Sequence, residues 1–111
     1  MKSLNKVTVV DTELGLNEGD VARIQTIFKK YLEIDKVIIY GSRAKGNYKP
    51  HSDIDITLIG DISLKVQNKI DLELDDLLFP YKFDISIFHQ IKNKDLIDHI
   101  NWVGKIIYSS R

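Results

Sequence analysis

The chain has 111 residues, 43% of them hydrophobic and 29% charged, enough for one buried core and too little for two, so residues 1–111 read as a single domain with 1–15 as an uncertain N-terminal arm. Sixteen basic residues balance sixteen acidic ones, so no overall field draws the protein to nucleic acid or to an anionic membrane, and any affinity for phosphate must be local. There is no cysteine, which excludes disulfides and thiolate-ligated metal centres.

The opening "MKSLNKVTVVDTEL" lacks the long apolar stretch and small-residue cleavage site of a signal peptide. No apolar run approaches the roughly 20 residues that span a bilayer, and the chain is read as cytoplasmic. Val7–Val10 is a short strand or an extended arm. From Asn17, a plausible N-cap, Val21, Ile24, Ile27, Phe28, Tyr31 and Leu32 recur at helical spacing, which predicts a first helix over Glu18–Leu32. "KVIIYGS" is apolar and β-branched, a buried strand that stops at Gly41. "DIDITLI" (Asp53–Ile59) alternates, with Ile54, Ile56 and Leu58 opposite Asp53, Asp55 and Thr57.

Ser63 caps a second helix whose apolar stripe is Val66, Ile70, Leu74, Leu77 and Leu78, and Pro80 keeps it from continuing. "KFDISIF" (Lys82–Phe88) alternates again, with Asp84 on its non-isoleucine face. A third helix follows over Lys94–Trp102, with Leu96, Ile97, Ile100 and Val103 on its apolar side. Gly104 stops it, and "KIIY" makes a last strand. The order is that of an α/β (α+β) protein: a mixed β-sheet with helices packed on its apolar face.

Asp53 and Asp55 are two residues apart on a strand, so they point the same way about 6.6 Å apart. If the strand of Asp84 lies beside theirs in register, three carboxylates converge. Such a group repels itself unless a cation neutralises it. All-oxygen ligands favour magnesium or manganese, and three carboxylates suit two ions about 3.5–4 Å apart.

A D-x-D pair alone more often marks a solvated strand face, and the acids Asp71, Glu73, Asp75 and Asp76 of the second helix read that way. The upstream context separates the two cases. Gly41 lets the backbone approach a ligand, and a helical turn begun by "SRAKG" would turn the Ser42 hydroxyl to the same anion. Arg43, Lys45, Lys49 and His51 add positive charge.

Competing motifs fail. Asn47-Tyr48 stands where a P-loop needs Lys-Ser/Thr. Leu58 and Leu64 replace the glycine and glutamate of a calcium loop. Ser42 is not in G-x-S-x-G, and His51, His89 and His99 lack metal-ligand spacing, which leaves them as surface or capping histidines.

Gly41-Ser42, ten intervening residues and then Asp53-Ile54-Asp55 resemble the signature of the DNA polymerase β nucleotidyltransferase superfamily, and "GSRAKG…SDIDI" resembles its minimal nucleotidyltransferase (MNT) domains. The resemblance runs from the first helix to "GKIIY" and implies the polymerase-β-like nucleotidyltransferase fold. It also implies transfer of AMP from ATP to a hydroxyl, with two magnesium ions (manganese as an alternative). Asp53, Asp55 and Asp84 are then catalytic and metal-ligating, while Gly41 and Ser42, with Arg43 and Lys45, bind the nucleotide.

Minimal nucleotidyltransferases resembling this chain are paired with HEPN-domain toxins, which implies an antitoxin that AMPylates its partner, in a hetero-oligomer or a homodimer. Direct nucleic-acid binding and membrane attachment are not expected. Two alternatives remain at this point: an antitoxin that acts by binding alone, and nucleotidyl transfer to a small molecule.

Overall fold

A computed structural model describes residues 11–110; the Val7–Val10 segment lies outside them. Among the described residues, 3₁₀ turns at Asp11–Leu14 and Phe88–Gln90 accompany four helices and four strands: α1 (Asp20–Phe28), β1 (Ile34–Tyr40), α2 (Gly41–Lys45), β2 (Ile54–Gly60), α3 (Leu64–Asp75), β3 (Phe83–Ile87), α4 (Lys94–Val103) and β4 (Lys105–Ser109). The sheet runs β3-β2-β1-β4. β1 pairs antiparallel with β2 and β4, whereas β3 lies parallel to β2. Parallel neighbours need a crossover, and α3 supplies it. The expected mixed sheet is present.

Strand alternation decides which face is buried. Val37, Ile39, Ile54, Ile56 and Leu58 have no exposed surface and form one cluster with Val21, Ile24, Phe28, Ile70 and Leu74. α1 and α3 therefore cover the isoleucine face. The turn that follows α1 is also tied to α3 at the rim, where Lys30 and Tyr31 both bond the Glu73 carboxylate. Burial pushes the Tyr31 phenol up to about 12, with the Glu73 bond the next cause. Glu73, read as a solvated acid, thus has a structural role.

α4 goes to the opposite face. A Cβ at Gly104, which ends this helix, would lie 2.6 Å from Ile38 Cγ2 and 2.4 Å from the Ile100 carbonyl oxygen. Ile38 alternates with the core residues of β1, so it points away from α1 and α3. Glycine here permits close helix-to-sheet approach; its backbone is extended, not left-handed.

The helix ends show where local rules held. Ser63 caps α3 by accepting from the Val66 amide at 3.2 Å, and Asn93 caps α4 through Leu96 at 3.1 Å. α1 is shorter than the expected Glu18–Leu32. The carboxylate of Asp11 takes the Gly19 and Val21 amides, both at 2.8 Å, in place of an Asn17 cap. Past Phe28 the chain turns, leaving Leu32 94% exposed. Leu78, expected in the α3 stripe, is 87% exposed at a left-handed φ of 57°, because α3 ends at Asp75 and the helical period ends with it.

Candidate functional site

The register places Tyr40 of β1 opposite Asp55 of β2, and Asp55 opposite Asp84 of β3. These three side chains form one row across the sheet on the face away from the α1–α3 core. Ile38, Thr57 and Ser86 form the next row. Asp53 immediately precedes β2 and is exposed, as is Asp84, while Asp55 is half-buried.

Burial and neighbouring negative charge both act on Asp55. The Asp55 carboxyl is pushed above the ordinary carboxylate range, first by burial and then by the charges of Asp84 and Asp53, with His99 opposing. The Tyr40 phenol is likewise raised by burial; a hydrogen bond with Ser86 opposes this, and Asp55 and Asp84 add to it. An Asp55 carboxyl raised by its acidic neighbours lacks a counter-charge, which a bound cation supplies. The donor set is all oxygen and suits a hard divalent ion in kind. Among the described residues, however, no three His, Asp or Glu side chains are grouped so as to enclose a metal.

β1 ends directly at the Gly-Ser turn. Gly41 has a φ of +75°, and a Cβ on it would lie 2.3 Å from Asp55 Oδ2. Any side chain here would be both strained and in collision with the carboxylate. The glycine thus brings the backbone against Asp55. Its amide donates to His99 Nε2 at 3.1 Å. Ser42 follows in the first turn of α2, half-buried, and Lys45 is exposed at its end.

Arg43 departs from expectation. It was grouped with the phosphate ligands, yet the side chain has no exposed surface. Nε and Nη2 donate to the Ser52 carbonyl at 3.0 and 2.7 Å, Nη1 to those of Leu14 and Gly15 at 2.9 and 3.1 Å, and Nη2 also to Pro50 at 3.4 Å. Its guanidinium lies 4.5 Å from the Tyr81 ring centroid and 5.5 Å from that of Tyr48. The reason is geometric. In the short helix α2 the third position turns inward, and a planar fork of five donors satisfies several loop carbonyls that would otherwise be orphaned. Arg43 is a structural hub and offers nothing to a phosphate.

His99 is the residue that sequence reasoning placed only as a surface or capping histidine. It packs edge-on to Tyr40, with centroids 6.0 Å apart and planes at 80°, and it caps a backbone amide 58 residues away.

The family described as Polymerase beta, Nucleotidyltransferase matches residues 22–111, the greater part of the chain. The chain belongs to that family. The chain is 37% identical over 70 residues to a Methanocaldococcus jannaschii protein whose name assigns it provisionally to the protein adenylyltransferases. That match covers 62% of this chain and 65% of the relative, so the chain spans just under two thirds of the length of that protein.

Among solved structures, a toxin–antitoxin crystal structure with AMP-PNP superposes with a TM-score of 0.68 at 16% identity, covering 83% of this chain and 75% of the other. A Shewanella oneidensis complex of a tri-AMPylated HEPN toxin with an MNT antitoxin gives 0.57 at 15% identity, covering 80% and 71%. At these identities the likeness speaks to the fold. No helix among the described residues is long and apolar enough to cross a membrane.

Proposed function

We propose that this chain transfers AMP from ATP to a hydroxyl of a partner protein and serves as the antitoxin of a HEPN-type toxin in the cytoplasm. The observation that carries the reading is the in-register pairing of Asp55 with Asp84 beside the Gly41–Ser42 turn. An anion-binding turn next to an acidic row suits a polyphosphate together with its cations. Membership of the nucleotidyltransferase family supports the reaction class. The relative named for protein adenylylation supports a protein acceptor, and the toxin–antitoxin neighbours support the partner.

Asp53, Asp55 and Asp84 would hold divalent ions, two of magnesium or manganese, which when bound supply neutralising charge for the phosphates and the acceptor oxygen. The chain's own residues do the rest. Ser42 offers its hydroxyl to the phosphates, and Lys45, free at the end of α2, adds positive charge. Gly41 contributes closeness rather than its amide, which His99 already occupies. Asp84, exposed at the edge of the row, would accept the acceptor's proton. Positioning and electrostatics lower the barrier without a covalent enzyme intermediate.

The test is incubation with α-labelled ATP, magnesium and a HEPN-domain partner. Label should appear on the partner and disappear with Asp53→Asn/Asp55→Asn. If the double variant still neutralises the partner and neither variant nor parent transfers label, the protein acts by binding alone and the proposal falls.

A further inference from the structure

Outside the carboxylate row, the group most closely tied to the Gly-Ser turn is an imidazole from the far end of the chain. His99 lies in the second turn of α4, one residue before Ile100, which is 1% exposed. A backbone N–H can only donate, so the 3.1 Å contact with Gly41 requires Nε2 to be an unprotonated acceptor. The ring is held from the side by Tyr40, the residue that also opens the Tyr40–Asp55–Asp84 row. Gly41 in turn stands where a single Cβ would strike Asp55 Oδ2. One imidazole therefore fixes the backbone that sets how close the turn stands to Asp55.

We infer that His99 is a positioning residue of the nucleotide site, holding the Gly41 amide so that the Gly41–Ser42 turn keeps its left-handed form against Asp55. This inference rests on the nucleotidyltransferase reading for its functional consequence, but not for the contact itself. α2 has only five residues and cannot hold its own first turn; isolated helices of that length do not persist in water. The turn needs an external anchor. At its C-terminal end the Arg43 hub provides one, and His99 provides the other.

The test compares His99→Phe, which keeps a flat ring and removes the acceptor, with His99→Gln, whose Oε1 can accept at a similar reach. The first readout is amide hydrogen exchange of Gly41 in the full chain without nucleotide. Phe should speed exchange by about tenfold, and Gln should keep it within about twofold of the parent, as expected for one hydrogen bond of ordinary net strength. The second is the Kd for AMP-PNP with magnesium, which should rise about five- to tenfold with Phe and recover with Gln.

Equal behaviour of Phe and Gln in the exchange experiment overturns the inference, because a packing role alone would not distinguish them. Unchanged AMP-PNP affinity in His99→Phe, with exchange altered, also overturns it. If the parent chain binds no AMP-PNP, the nucleotide reading fails, and the exchange result still decides whether His99 holds the turn.

Discussion

Replacing Arg43 with methionine separates a structural arginine from a phosphate ligand. Methionine keeps the unbranched stem out to the position of Nε but withdraws the donors from the carbonyls of Leu14, Gly15, Pro50 and Ser52. Hydrogen bonds from a charged donor contribute about 1.5–3 kcal/mol each. They are not additive here, since the 3.4 Å bond to Pro50 is weak and water can reach several of these carbonyls once the fork is gone. Removing the charge also relieves its desolvation, which already holds the guanidinium pKa below its ordinary value.

A net loss of about 3 kcal/mol follows, with the 2.7 and 2.9 Å bonds and the stacking on Tyr81 as its main sources. For a domain of this size each kcal/mol moves Tm by about 4–8 °C, so a fall of roughly 12–24 °C is expected. Paired thermal and urea melts measure it. Arg43→Lys should lose somewhat less, since an ammonium replaces the fork with a point charge. Lys45→Ala is the control: the side chain is exposed, so Tm should hold while AMP-PNP binding weakens. A Tm change below about 3 °C in Arg43→Met, accompanied by a large loss of AMP-PNP affinity, would refute the structural assignment.

Gly41→Ala should lose about 1–2 kcal/mol from the left-handed backbone alone. It should also abolish label transfer, because the new Cβ displaces Asp55 Oδ2; a variant with full transfer would show that the close approach is dispensable. Asp55→Asn should end transfer yet raise Tm in metal-free buffer at neutral pH. The folded state raises the Asp55 pKa, so the native protein holds that proton more tightly than the unfolded chain. Stability from this group is then present at low pH and lost as pH rises through the raised value. A melt series from acid to neutral pH should therefore decline less steeply in Asp55→Asn than in the parent, and equal slopes would count against a raised Asp55 carboxyl.

Much of the site could be read from neighbours in sequence. Ile54, Ile56 and Leu58 alternate with Asp53, Asp55 and Thr57 because a strand has a period of two, and all three apolar residues are fully buried. Thr57 is buried too, on the face away from the α1–α3 core, because the sheet's second face is not bare. Ser63 capped its helix as its type and place suggested, since that bond spans three residues. Arg43 looked like Lys45, two residues away in the same basic run. Spacing cannot distinguish a cation facing solvent from one turned under Leu14, since that contact joins residues 29 apart.

From its sequence alone, this protein was bound to carry a glycine-serine turn, an acidic pair on one strand face and an isoleucine face behind it, because local backbone geometry sets those relations. Only the tertiary structure decided that Asp84 stands opposite Asp55, that Arg43 is consumed by the interior, and that His99 holds Gly41. Each of these depends on which distant segments meet. Parallel strand register, helix docking and loop closure are set by burial summed over the whole core, and no short stretch of sequence contains that sum.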